Sequence, residues 1–136
     1  MNYKKILLAF ENPKGHVKVL KSALDLTDKY SGELKVLHIN SNMAGVPSMA
    51  RREFEKRFTQ EELQDIVNEH NVTKVPVTIE VVTTNNVIDT VVDETKEADL
   101  LVMGHEHANM FIAAISDTTD EKIVNNIHCD SLIVNL

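Results

Sequence analysis

The chain has 136 residues, enough for one domain that buries its own core. Its hydrophobic content of 43% and charged content of 26% are ordinary for a globular protein, and its formal net charge is −7. That acidic balance repels phosphate backbones, and Lys4-Lys5 and Arg51-Arg52 form no basic stripe, so a nucleic-acid partner is not expected.

Ile6–Phe10 is an unbroken apolar run, the pattern of a parallel strand covered on both faces. Two lysines precede it, as in a leader peptide, but the run is too short and no small-residue cleavage site follows, so a buried strand is expected. Glu11-Asn12-Pro13-Lys14-Gly15 breaks the strand. Val17, Leu20, Ala23, Leu24 and Thr27 then recur at helical spacing up to Tyr30, and Ser31-Gly32 stops that helix. Glu33–Asn40 is the second strand, with Leu34, Val36, Leu37 and Ile39, and Ser41–Pro47 is a loop. Ser48–Asn71 reads as helix with a break near Thr59, because Thr59 and Glu62 have the spacing of a capping box. Leu63, Ile66, Val67 and His70 share one face of its second part. Pro76–Val82 is the third strand, Thr83–Asn86 a polar turn, and Ile88, Val91, Val92 and Thr95 mark the third helix. Leu100–Met103 is the fourth strand, closed by Gly104. Thr118-Thr119-Asp120-Glu121 has capping-box spacing again, and Ile123, Val124 and Ile127 follow on one helical face. Ser131–Leu136 is a last apolar run without a charged side chain. No apolar run reaches the roughly 20 residues that span a bilayer, so no membrane partner is expected. Cys129 is the single cysteine, which excludes an internal disulfide and suits a reducing compartment.

Strict alternation of strand and helix predicts an α/β fold, one doubly wound parallel sheet with helices on both faces. Right-handed crossovers on two faces require one reversal of winding, placed between strands one and four, which gives the order 3-2-1-4-5. Ligands of such sheets sit at the reversal, outside the carboxyl ends of the strands. Here that crevice lies between Glu11–Gly15 and Gly104–Thr119. The order also leaves strand five at an edge, where Leu132, Ile133 and Val134 present apolar side chains beside unpaired backbone groups. A two-fold dimer through Ser131, Leu132, Ile133, Val134, Asn135 and Leu136 would cover it.

Four segments in order carry a family resemblance over the whole chain: KILLAFE, ELKVLHIN with its histidine before the strand's end, ADLLVMG, and DEKIVNNIHCDSLIVNL. They resemble the first, second, fourth and last strands of the universal stress protein family. The resemblance implies a Rossmann-like five-stranded sheet, a single domain over residues 1–136, a homodimer through the last strand and a cytoplasmic, stress-linked role without established catalysis.

Many members of that family bind ATP through Gly-x2-Gly-x9-Gly-Ser/Thr after strand four. Gly104 keeps the first glycine, but His107 and Asp117 stand at the second and third, followed by Thr118 in the Ser/Thr place. Glu11 takes the place of the adenine-contacting aspartate. If a nucleotide were held, with Mg²⁺, the resemblance would set it against Phe10, Glu11, Ile39, Met103, Gly104, His105, His107, Thr118 and Thr119. Glycines in such loops let backbone N–H groups approach phosphate oxygens. His107 puts a ring in that space, and Asp117 puts a carboxylate at a helix start, where anions gain about 0.3–1 kcal/mol. Between Gly104 and Glu121 there is no Lys or Arg, while Glu106, Asp117, Asp120 and Glu121 are all acidic. Two or three carboxylates near a polyphosphate cost on the order of kilocalories even at an effective dielectric of about 20. The expectation is therefore that ATP binding is lost and that the protein carries no cofactor.

Other residues have plainer readings. His105-Glu106-His107 lacks the ligand spacing of a metal site, so no metal is expected. His38 reads as a core histidine bonded to backbone. Cys129 sits beside Asp130, which opposes thiolate formation, so it reads as a small structural residue. Thr118 and Thr119 are explained by helix capping. Met110–Ile115 is apolar enough either to be buried or to meet a partner, and Glu53–Arg57 reads as a solvated face. No Ser-His-Asp or Cys-His pattern stands out, so no catalytic residue is expected. Three functions stay open: a non-catalytic homodimer acting through a partner or weak ligand, an ATP- or AMP-binding switch or slow ATPase, and an enzyme acting on an unrelated small molecule in the same crevice.

Overall fold

The computed structural model describes residues 2–41, 57–105 and 123–136. The expected loop after strand two, the first part of the 48–71 helix, and the readings of Glu106, His107, Met110–Ile115, Asp117, Thr118, Thr119, Asp120 and Glu121 lie outside them.

The described strands are β1 (Lys5–Ala9), β2 (Glu33–Ser41), β3 (Val77–Thr84), β4 (Leu100–His105) and β5 (Asp130–Asn135). They form one sheet in the order β3-β2-β1-β4-β5, as expected. All four pairings are parallel. The helices are α1 (Val17–Lys29), α2 (Gln60–His70) and α3 (Val87–Glu94), the last followed by a 3₁₀ turn at Thr95–Glu97.

Two-residue periodicity divides each apolar run between two cores. Ile6, Leu8, Leu34, Val36, Leu100, Val102 and Val134 pack with Val19, Leu20, Ala23 and Leu24 of α1 and with Leu63 and Val67 of α2. Leu7, Ala9, Leu37, Leu101 and Met103 pack on the opposite face with Val91 of α3 and with Ile123. This double burial is why β1 and β4 read as continuous hydrophobic stretches.

The helix ends follow local chemistry. The α2 capping box forms as expected, with Glu62 N–H donating to Thr59 Oγ1 and Thr59 N–H to Glu62 Oε1, each at 3.2 Å. After α1 the chain passes close under β1, and a β-carbon on Gly32 would lie 2.6 Å from the Lys4 carbonyl oxygen. Only glycine fits that passage.

Three expectations shift. β3 continues to Thr84, because Thr83 and Thr84 still pair with Asn40 and Ser41 where a turn was expected. β4 continues to His105, so Gly104 lies inside the ladder opposite Val134 rather than closing the strand. Val124 is 40% exposed, so only Ile123 and Ile127 of the expected helical face turn inward.

Candidate functional site

The carboxyl ends of β1, β2 and β4 meet where the winding reverses. Ala9 pairs with Leu37 on one side and Met103 on the other. The next residues of each strand are therefore neighbours: Phe10 and Glu11, His38 and Ile39, Gly104 and His105. Of the nine residues expected at a nucleotide site, six are brought together at this end of the sheet, and His107, Thr118 and Thr119 fall outside the described residues.

Their side chains are unequal. Phe10 is 1% exposed and Met103 2% exposed, each committed to a core. Glu11 is exposed, and Ile39, Gly104 and His105 are half-buried. The space left by the missing side chain of Gly104 is taken by Leu136, whose Cδ1 would lie 2.5 Å from a β-carbon built there. Leu136 is held in place by its N–H, which donates to the His105 carbonyl at 2.8 Å. Lys18 Nζ donates to the Asn135 carbonyl at 2.8 Å and ties this end to α1. Thus the one glycine retained from the loop pattern serves packing on this face.

His38 is the backbone-bonded core histidine that was expected. It is 2% exposed, and its Nδ1 donates to the Phe10 carbonyl at 2.7 Å, since a carbonyl can only accept. Its Nε2 lies 3.1 Å from Asn40 Oδ1. Asn40 in turn grips the peptide of Phe58 from both sides: Oδ1 accepts the Phe58 N–H and Nδ2 donates to the Phe58 carbonyl, both at 3.0 Å. The Phe58 ring meets the His38 ring edge-on at 5.3 Å. Asn40 and Phe58 were not singled out in the sequence. The one available signal is a polar asparagine ending a β-strand on its buried face.

At the opposite end of the sheet, Lys35 Nζ lies 2.6 Å from both Glu80 Oε2 and Glu94 Oε2. Burial alone would lower the Lys35 pKa, but the hydrogen bonds to Glu80 and Glu94 outweigh it and hold the ammonium above its usual range. This ion triad ties β2 to β3 and α3.

Cys129 is half-buried just before β5. Burial pushes its thiol pKa up, the Asp130 charge adds to that, and a backbone hydrogen bond at Leu101 opposes it. The thiolate is the reactive form, so alkylation by iodoacetamide at pH 8 will run at least about fivefold slower than for a free cysteine. Its pH profile will rise only above the ordinary thiol range, which timed mass spectrometry reads directly. Among the described residues, no three His, Cys, Asp or Glu side chains gather as metal ligands. No described helix is long and apolar enough to cross a membrane.

β5 occupies the sheet edge. Leu132 is 38% exposed and Ile133 40% exposed, while Val134 is 9% exposed and Leu136 packs inward.

A model of the universal stress protein family matches residues 2–135. Comparison with curated proteins gives no match. Among solved structures, a universal stress protein in complex with cAMP is 14% identical with a TM-score of 0.65, over 99% of this chain and 98% of that one. A universal stress protein from Archaeoglobus fulgidus in complex with dAMP is 16% identical with a TM-score of 0.64, over 98% of this chain and 99% of that one. A protein of the same family from Burkholderia pseudomallei is 20% identical with a TM-score of 0.65, over 97% of this chain and 96% of that one. Identities this low establish the shared fold.

Proposed function

The chain belongs to the universal stress protein family, and from that premise we propose that it is a non-catalytic, cytoplasmic stress-response or regulatory protein. It works as a homodimer joined through β5, acts through a protein partner or a weak ligand, and has given up family-style ATP binding. The observation that carries this reading is the charge of the stretch after β4. From Gly104 to Glu121 it has four carboxylates, no Lys or Arg, and His107 and Asp117 where the family's loop has glycines. A triphosphate brought there meets like charge and finds no glycine-lined approach to the backbone. The packing of Leu136 on Gly104 supports the same reading. The dimer is supported by the apolar edge at Leu132 and Ile133, and the cytoplasmic setting by the single cysteine.

The relatives in complex with cAMP and dAMP favour a second reading, a nucleotide-dependent switch or slow ATPase using Glu11, Gly104, Thr118 and Thr119. Isothermal titration separates the two. On the first reading, ATP with Mg²⁺ gives no saturable heat at micromolar concentration, and its dissociation constant is no tighter than about 1 mM. Saturable binding at micromolar concentration overturns that reading in favour of the second.

A further inference from the structure

We propose that the depression between the β1–α1 turn and the start of α2 is an anion site for a phosphate-bearing small molecule, held by Lys14 and Arg57. The depression has a volume of about 420 Å³ and is lined by Asn12, Lys14, Gly15, Arg57, Phe58 and Glu62. That is room for an organic group as well as a phosphate. The site is separate from the stretch after Gly104 and does not depend on it.

Charge is the first argument. The protein as a whole carries −7, yet two cationic side chains line this one hollow. Neither is paired with a carboxylate among the described residues. Lys14 Nζ instead lies 5.9 Å from the centre of the Phe58 ring. The crevice at the other end of the sheet is lined by Lys5 and Lys35 together with Glu33, Glu94 and Glu97, so carboxylates outnumber its cations, whereas Glu62 is the one carboxylate lining the hollow at Lys14 and Arg57. The acidic group on the rim of the hollow, Glu62, has its Oε1 turned to the N–H and hydroxyl of Thr59.

Rigidity is the second argument. Asn40 spends both ends of a buried amide on the Phe58 peptide, and the His38 ring packs edge-on against the Phe58 ring. This fixes the floor of the hollow and the backbone that carries Arg57. A buried polar network is costly unless fully satisfied, and this one is spent on holding one peptide still. Binding groups on a fixed frame lose little entropy when a ligand arrives.

The helix starts are the third argument and only reinforce the other two. The thirteen-residue α1 begins here with no side-chain cap and no acidic residue in its first turn. The Asn12 side chain accepts the Gly15 N–H at 3.1 Å and the Asn12 carbonyl accepts the His16 N–H at 3.0 Å, so the amides of the first turn that face a ligand are those of Val17 and Lys18. A phosphate offers enough oxygens to engage Lys14, Arg57 and backbone N–H groups together, which a chloride cannot.

The test is a ¹⁵N NMR titration of the full chain with inorganic phosphate and, separately, with adenosine monophosphate, using chloride as the ionic control. Saturable shifts of the Gly15, His16, Val17 and Lys18 amides, with phosphate dissociating in about the millimolar range, support the site. Lys14→Ala with Arg57→Ala will weaken binding about tenfold or more. The same charge loss elsewhere, Lys29→Ala with Lys74→Ala, will leave it within about twofold. Both positions of the first pair are exposed, and the unperturbed spectrum of each single variant reports an intact fold. If adenosine monophosphate binds more tightly than phosphate at these same amides, the organic part shares the hollow; if the two bind alike, phosphate is the whole ligand. Absence of shifts at these amides, shifts spread over the surface, or equal losses in both double variants overturns the proposal.

Discussion

If the proposed dimer forms through β5, Leu132→Lys combined with Ile133→Lys will shift sedimentation from twice 15.3 kDa to 15.3 kDa. Consecutive strand residues point to opposite faces, so these two side chains bring apolar surface to both sides of the β5 edge. In a two-fold pairing of edges each segment meets its own copy, so every apolar contact is made twice. Four partly exposed side chains covered at about 25 cal/mol per Å² are worth several kcal/mol, and the substitution removes that and sets lysine against lysine. The dimer dissociation constant should rise at least about a hundredfold, or roughly 2.7 kcal/mol. The fold of each protomer should hold, because Val134 and Leu136 supply the inward packing and are untouched. A wild-type chain that already sediments at 15.3 kDa at micromolar concentration would remove the dimer from the proposed function.

Asn40→Leu should be the most damaging single change of similar volume in the described structure. It leaves the Phe58 N–H and carbonyl without their partner. Unsatisfied buried groups cost about 1–3 kcal/mol each, and some relief by water is expected, so the loss should be about 3 kcal/mol. Against a total stability of about 5–15 kcal/mol this is a large share. At a urea dependence near 1.5 kcal/mol per M, the midpoint should fall by about 2 M. Asn40→Asp keeps the acceptor for Phe58 N–H but turns an acceptor toward the Phe58 carbonyl, so it should not rescue the fold. A midpoint shift below about 0.5 M for the leucine variant would show that the network stabilises little.

The sheet was legible because its signals are redundant. The central runs of β1 and β4 are apolar for two faces at once, and the alternation with helices leaves few ways to order five strands. The capping box at Thr59 was legible because its two partners are three residues apart and need no tertiary context. What escaped reading was long-range. Nothing local to Asn40 announces Phe58, eighteen residues on, and nothing local to Gly104 announces that Leu136 fills its space. The glycine pattern after β4 suggested why Gly104 is there, and the fold supplies another reason. The extra length of β3 and β4 was missed for a related cause: Thr83 and Thr84 suit a strand but open the polar run Thr83–Asn86, Gly104 is a poor strand former, and pairing with the neighbouring strand decides both cases. The depression at Lys14 and Arg57 could not be seen either, because its two cations are 43 positions apart and come together only through the folded start of α2.

The central place of β1 has a further consequence during synthesis. Its first neighbour, β2, leaves the ribosome soon after it, but its second begins only at Leu100, which pairs with Ile6. Until then the nascent sheet has a naked flank of Ile6, Leu7 and Leu8, each at most 1% exposed in the finished molecule. Closing that gap across some ninety residues is a slow, distant contact of the kind that sets folding rates. The half-made chain is therefore the form most in need of a chaperone, well before the outer edge at β5 exists to attract a second copy.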